Sequence, residues 1–256
     1  MSRGKNMQII NLSNNDLESI ASRSDYKKGS FGIVVQVEGD LGIKFYNGFL
    51  NSYKKKSIND IRMETIISVP QIELLTRKQE KVKLTTLPLG VAYYQNIPVG
   101  VIIKYFEKHN TLFELFKEHN TVIINILQRV LDIVNELLKN GIFQTDIKEN
   151  NFLYSTIDYS AQAIDLDGLR VEIGRENIWL EETVYESLID MFIFLVKEKL
   201  LFEYNNCELD ENDYKARIEC LKLLKHNIYV FESLQGFINE IKKIRLLEPP
   251  KKILKI

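Results

Sequence analysis

The stretch Gly141-Ile142-Phe143-Gln144-Thr145-Asp146-Ile147-Lys148-Glu149-Asn150-Asn151-Phe152-Leu153 sets a carboxylate, an ammonium and a carboxamide within six residues. Ahead of it, Val122, Ile123, Ile126, Leu127, Val130, Leu131, Val134, Leu137 and Leu138 recur at the spacing of one buried helical face. Asn140-Gly141 reads as the stop of that helix. Two short strand-like pieces, Asn151–Ser155 and Ala161–Asp165, follow around a polar turn. The polar segment is thus an irregular loop between a buried helix and a strand, a mounting that commonly hosts reactions. Its plain alternative is a solvated turn. Fourteen residues past Asn151, an apolar strand delivers Asp165-Leu166-Asp167-Gly168. Acids at a strand end suit a hard cation such as Mg2+, which takes few carboxylates together with phosphate oxygens; a turn capped by Asp is the other reading.

Upstream, from about Tyr26 to Tyr105, the chain reads in strand-like runs rich in β-branched and aromatic residues: Gly32–Val37, Gly42–Tyr46, Gly90–Tyr94 and Val99–Phe106. Glu38-Gly39-Asp40 and Asn96-Ile97-Pro98 are turn signals between them. Residues 57–68 interrupt the strands with one helical face marked by Ile58, Ile61 and Ile67, stopped by Pro70. Lys28-Gly29-Ser30-Phe31-Gly32-Ile33-Val34 opens the first run with two glycines three apart, where backbone without Cβ can approach a phosphate or simply turn. Lys44 falls on the strand face opposite Ile43 and Phe45, so an interior position would require an anion. Glu64 shares a helical face with Ile61 and Ile67 and would need a partner there.

After Phe106 the pattern turns helical. Asn110-Thr111 can cap a helix over Leu112–His119, a second apolar helix runs from about Thr183 to Leu200, and two further stretches follow near Asp213–Lys225 and Val230–Ile244. The order predicts an α+β chain: an N-terminal extension over 1–23, a small β-rich N-lobe over 24–105 and a larger helical C-lobe over 106–256. Ligands prefer such junctions.

Composition narrows the function classes. The 256 residues are 45% hydrophobic and 27% charged, which is globular, and the net charge of −1 gives no basic surface for nucleic acid. Short basic runs such as Lys54-Lys55-Lys56 read as solvated faces. The start has no signal-peptide apolar core and no run approaches a membrane span. With two cysteines outside any Cys-x-x-Cys pair and three histidines, a structural zinc site is not expected and a cytoplasmic setting is.

Taken together in this order and spacing, these segments resemble the eukaryotic-type protein kinase superfamily over roughly residues 24–200. Gly29-Ser30-Phe31-Gly32-Ile33-Val34 is similar to the later part of the Gly-x-Gly-x-x-Gly-x-Val loop, and Leu41-Gly42-Ile43-Lys44 to the Val-Ala-Ile-Lys strand. Asp146-Ile147-Lys148-Glu149-Asn150-Asn151 is similar to the Asp-Leu-Lys-x-x-Asn catalytic loop, and Asp165-Leu166-Asp167 occupies the Asp-Phe-Gly place. Ser187–Phe192 resembles the start of the large central helix, with Asp190 as its buried acid. The resemblance implies a protein kinase-like two-lobed fold and an ATP- and Mg2+-dependent phosphotransferase. Lys44 would hold the α- and β-phosphates and be positioned by Glu64. Asn151 and Asp165 would bind Mg2+, Asp146 would accept the proton of the attacking hydroxyl, and Lys148 would neutralise the transferred phosphoryl group. Adenine would lie between Val34 and Gly42 on one side and Leu153 on the other, its edge bonded by main chain of Lys104, Tyr105 and Phe106, with Ile103 behind.

Departures from the pattern bear on acceptor and control. Lys27 stands at the first loop glycine, implying altered nucleotide affinity. Gln144-Thr145 replace His-Arg, which removes the receptor for a phosphorylated activation loop. Asp167 replaces the last glycine of Asp-Phe-Gly. No proline lies between Asp165 and Asp190, so an Ala-Pro-Glu element is absent. Three readings stay open: a Ser/Thr-type protein kinase with a protein hydroxyl as acceptor, a small-molecule kinase of the same fold such as aminoglycoside or choline kinases, and a pseudokinase scaffold. Lys148, two residues after Asp146, is the Ser/Thr protein kinase choice and favours the first.

Overall fold

Apolar side chains at every second position of residues 33–45 put one sheet face into a core and leave the other for polar work. The computed structural model describes residues 7–23, 27–29, 32–46, 49–54, 68–165, 169–171, 178–226, 236, 238 and 239. The protein is mixed α+β, with a sheet-rich N-terminal unit, Met1–Glu107, and a helical C-terminal unit, Lys108–Ile256.

The N-terminal unit holds β1 (Gln8–Leu12), α1 (Asn14–Ser22), β2 (Lys27–Gly29), β3 (Gly32–Glu38), β4 (Leu41–Tyr46), α2 (Phe49–Lys54), α3 (Val69–Lys78), β5 (Gly90–Tyr94) and β6 (Ile97–Lys104). Its six strands lie in the order β1-β5-β6-β4-β3-β2, antiparallel except for the parallel β1/β5 pair. Ile33 pairs with Phe45 and Val35 with Ile43, which in turn pairs with Ile102. That face buries Leu17 and Ile20 of α1 and Phe49 and Leu50 of α2. Phe45 stacks on Phe49 with centroids 5.8 Å apart. Residues 8–22, read from sequence as part of an N-terminal extension over 1–23, are an edge strand and a core helix. A reciprocal capping box between Ser13 and Asp16 starts that helix.

Pro70 sits in the first turn of α3, where its missing N–H has no intrahelical role, behind the Ser68 cap. One local expectation is corrected. The turn between β5 and β6 is Gln95-Asn96, both at positive φ, and Ile97-Pro98 already belong to β6. The helix expected over 57–68, stopped by Pro70, lies outside the described residues except for Ser68, the cap of α3.

The C-terminal unit holds β7 (Asn110–Thr111), a 3₁₀ helix (Leu112–Lys117), α4 (Asn120–Lys139), β8 (Ile142–Gln144), a 3₁₀ turn (Glu149–Asn151), β9 (Phe152–Tyr154), β10 (Ala161–Ala163), β11 (Leu169–Val171), α5 (Ile178–Asn205) and α6 (Glu211–His226). The face of α4 from Ile123 to Leu138 is buried, and the helix ends where Asn140 and Gly141, the latter at φ 65°, turn the chain into β8. Strand β9 lies between β10 and β7, and β8 pairs with β11. Asn110-Thr111 pair as a strand, Asn110 with Tyr154 and Thr111 with Leu153, and Thr111 is also the N-cap residue of the 3₁₀ helix, without a side-chain cap hydrogen bond. Asp190 is not a buried acid: its side chain is 62% exposed and pairs with Lys225 of α6 at 2.7 Å. The buried charges of α5 are Lys199 and Glu203, 3.4 Å apart one turn from each other. The helix expected near Val230–Ile244 lies almost wholly outside the described residues. No helix among the described residues is long and apolar enough to cross a membrane.

Candidate active site

In the C-terminal unit, the end of α4 and the short buried strand β8 deliver residues 145–151 as a polar loop on an apolar base. The Lys148 ammonium donates to Asp146 Oδ2 at 2.6 Å. Asn151, 2% exposed, donates from Nδ2 to the Asp146 carbonyl at 2.7 Å and to the same Oδ2 at 3.0 Å. Asn151 is itself held at its main chain, its N–H donating to the Lys148 carbonyl at 2.9 Å and its carbonyl accepting from Ile164 N–H at 2.8 Å. That last bond ties the loop to the residue before Asp165. Asp165 follows β10 in the left-handed region, φ 64°. The Lys148 pKa is raised, chiefly by the hydrogen bond to Asp146 and further by the charges of Asp146, Asp165 and Glu149, against partial burial. Of the residues singled out from sequence, this unit therefore groups Asp146, Lys148, Asn151 and Asp165. Leu153 is buried in β9, between Thr111 and Gln162 of the flanking strands.

In the N-terminal unit, strand register puts Val34, Lys44 and Val101 in one row across β3, β4 and β6, with Gly42 beside Ile103 and Gly32 beside Tyr46. Directly paired residues share a face. Gly32, Val34, Gly42, Lys44 and Ile103 thus line the face opposite the Ile43–Phe45 core, as the alternation predicts. Gly29 pairs with Gly32 at the end of the β2/β3 ladder. A Cβ on Gly32 would lie 2.2 Å from the Phe45 carbonyl oxygen, so close approach of β4 requires this glycine whatever ligand it meets.

The segment Lys104–Phe106 is pinned at several points. Tyr105 N–H donates to the Asp40 carbonyl at 2.6 Å, and the Lys104 ammonium lies 3.9 Å from the Asp40 carboxylate. The Phe106 carbonyl accepts from the Lys27 ammonium at 3.1 Å, which also sits 5.1 Å above the Tyr105 ring. Sequence reading marked Lys27 only as a missing glycine; a contact spanning 79 positions leaves no periodic trace. Glu64, Ser30, Phe31 and Asp167 lie outside the described residues.

Chemically, the 145–151 loop presents a carboxylate with a fixed cation beside it, and a buried amide whose nitrogen is committed to Asp146. That commitment leaves Oδ1 as the side-chain atom that Asn151 would offer to a cation. Among the described residues no three His, Cys, Asp or Glu side chains converge on a metal position. A carboxylate from Asp165 and an amide oxygen from Asn151 are nevertheless hard donors of the kind Mg2+ takes when phosphate oxygens and water complete its shell. The residues present fit that ion. Compared with known proteins, the chain matches no protein-family model and no curated protein.

Proposed function

We propose that the chain is an ATP- and Mg2+-dependent phosphotransferase with a protein kinase-like two-lobed fold, transferring the γ-phosphoryl group of ATP to a serine or threonine hydroxyl of a protein. The observation that carries this reading is the joint hold of Lys148 and Asn151 on one oxygen of Asp146, with Asp165 tied in through Ile164. Phosphoryl transfer has a loose transition state, so fixed charge and orientation matter more than base strength. Asp146 orients the acceptor hydroxyl and takes its proton. Lys148, kept protonated by that acid, offsets charge on the transferring group. Asn151 and Asp165 hold the cation, which when bound neutralises the phosphate oxygens. From the N-terminal unit, Lys44 serves the α- and β-phosphates with Glu64 as its partner, and Val34, Gly42 and Ile103 offer an apolar face to adenine.

A second reading has a specific observation in its favour. Twelve residues, 166–177, separate Asp165 from Ile178 of helix α5, a short length from which to build a peptide-docking platform. A small hydroxyl compound as acceptor suits that length.

Incubation of the protein with labelled ATP, Mg2+ and either a generic protein acceptor or a panel of small amino alcohols and aminoglycosides tests both. Transfer to protein supports the main reading, and transfer confined to small molecules supports the second. Absence of transfer together with absence of Mg2+-dependent nucleotide binding would favour a scaffold. Lys44→Met is expected to abolish transfer while leaving the fold intact, since Lys44 stands on the face away from the core.

A further inference from the structure

Lys27 opens β2 as the cross-strand partner of Val34, which is itself paired with Lys44, so the three stand in one row on the sheet face turned away from the core. Among the described residues the Lys27 ammonium meets no carboxylate. It donates to the Phe106 carbonyl at 3.1 Å and lies 5.1 Å from the centroid of the Tyr105 ring, both just past the end of β6 and within the same N-terminal unit. A cation held by a carbonyl and a ring face keeps its charge for whatever lies beside it.

The segment that receives it is tied down. Tyr105 N–H is committed to the Asp40 carbonyl at 2.6 Å, and a Cβ on Gly42 would lie 3.3 Å from Tyr105 Cβ and Cδ2, so this side chain packs directly on β4. Phe106 is held by two lysines, its carbonyl by Lys27 and its ring by the Lys104 ammonium 5.6 Å from the centroid, itself 3.9 Å from the Asp40 carboxylate. With Tyr105 N–H committed, a base edge on this segment is met by the main chain of Lys104 and Phe106, and one end of that edge abuts a carbonyl backed by a cation.

The chemistry of the purine edge decides which base tolerates this. Adenine carries an amino donor at C6, an acceptor at N1 and a bare C–H at C2, whereas guanine and 2-aminoadenine carry an amino donor at C2. An ammonium at the Phe106 end repels an amino group, which sends the C6 amino group toward the Lys104 carbonyl and C2 toward Phe106. A carbonyl has a second lone pair and could otherwise accept from a C2 amino group. With Lys27 on that oxygen, donor would face donor, and an unmatched contact of this kind is how a site rejects a close analogue.

We infer that Lys27 is a specificity-determining residue for the nucleotide, excluding purines that carry an amino group at C2 and so admitting ATP over GTP. The inference rests on the phosphotransferase reading and adds to it base selection by a residue that touches no phosphate.

The test uses the full-length chain with MgCl2 and a fluorescent ATP analogue, displaced by ATP or by 2-aminoadenosine triphosphate, which differs from ATP by the C2 amino group alone. The parent should bind ATP at least about tenfold more tightly, the effect of one unmatched donor. Lys27→Met, which keeps a long side chain over Tyr105 and removes the ammonium, should bring the two nucleotides within about threefold of each other by tightening the 2-amino compound, while Lys27→Arg, which keeps a cationic donor, should retain the preference. A parent that binds both alike overturns the role of Lys27 alone, as does a Lys27→Met protein with the parent's preference or one that loses it only through weaker ATP binding. Should Lys27→Met fail to fold, the parent and Lys27→Arg decide, and a Lys27→Arg protein without the preference overturns the assignment. A parent that binds no ATP in a Mg2+-dependent way overturns the phosphotransferase reading and this inference together.

Discussion

Asn151 grips Asp146 twice with one nitrogen, at the main-chain carbonyl 2.7 Å away and at carboxylate Oδ2 3.0 Å away. Lys148 donates to that same oxygen at 2.6 Å. Acid, ammonium and amide are thus one hydrogen-bonded unit whose geometry is set by a buried residue, and with two donors on Oδ2 it is Oδ1 that would meet an acceptor hydroxyl in the proposed reaction. Each member can be removed separately, and each removal has a distinct signature.

Asp146→Asn keeps an acceptor for one of the two donors and removes the charge and the basic oxygen. Phosphoryl transfer should fall by about 10²–10⁴-fold, the usual contribution of a positioned base. Mg2+–nucleotide binding should survive, because Asp165 and the Asn151 amide oxygen are untouched. Single-turnover transfer measured beside equilibrium nucleotide binding separates the two, and near-normal transfer would remove Asp146 from its role.

Gly32→Ala tests the sheet rather than the chemistry. The new methyl would be placed 2.2 Å from the Phe45 carbonyl oxygen, a main-chain atom that cannot swing aside. Strands β3 and β4 must part, and with them the Ile33–Phe45 and Val35–Ile43 pairs of the core. A loss of at least about 2 kcal/mol is expected from such overpacking. Urea unfolding reads it as a lowered midpoint, and an unchanged midpoint would mean that the strands are not so closely apposed.

Periodic features of the molecule were legible and paired ones were not. Strand β5 coincides with the reading because Gly90–Tyr94 is a compact β-branched and aromatic run, and α4 because its apolar stripe is continuous over five turns. Asn110-Thr111 were half legible: the cap position at Thr111 is a local signal, whereas pairing with Leu153 and Tyr154 is decided some forty positions away. At the site, the Asp146-to-Asn151 spacing was visible because one loop carries both ends. The left-handed turn at Asp165, the Gln144 bond to Ile164 and the reach of Lys27 to Phe106 come from tertiary contacts that composition does not encode. Asp190 was misplaced for the same reason: its exposure follows from which face of α5 meets the core, where Leu188, Met191 and Phe192 are buried.

Tyr154 sets a pH limit on the C-terminal unit. Its ring is fully buried in β9 and its hydroxyl donates to Glu118 at 3.1 Å. Burial first, and then the Glu118 charge and hydrogen bond, push the phenol well above its ordinary value. The neutral phenol is therefore favoured by folding, so its contribution is intact below about pH 10 and is lost as pH climbs from there toward the folded-state value. Tyr154→Phe should cost about 1–2 kcal/mol at neutral pH and flatten the alkaline decline. Parallel melts of both proteins from pH 7 to 11 check this, and identical alkaline slopes would count against it.

Asp165→Asn separates charge from conformation. At φ 64° a side chain with a Cβ is strained, and Asn and Asp tolerate that region better than other non-glycine residues. The amide substitution should therefore fold as the parent does, whereas Asp165→Ala should lose about 1–2 kcal/mol of stability from the backbone alone. Function should sort differently. Both variants lack the carboxylate, so both should lose Mg2+-dependent nucleotide binding, and the Lys148 ammonium, which feels the Asp165 charge, should titrate lower in each. If Asp165→Asn kept the parent's Mg2+ dependence, the left-handed turn would remain a feature of the fold and the cation would have to be assigned to other oxygens.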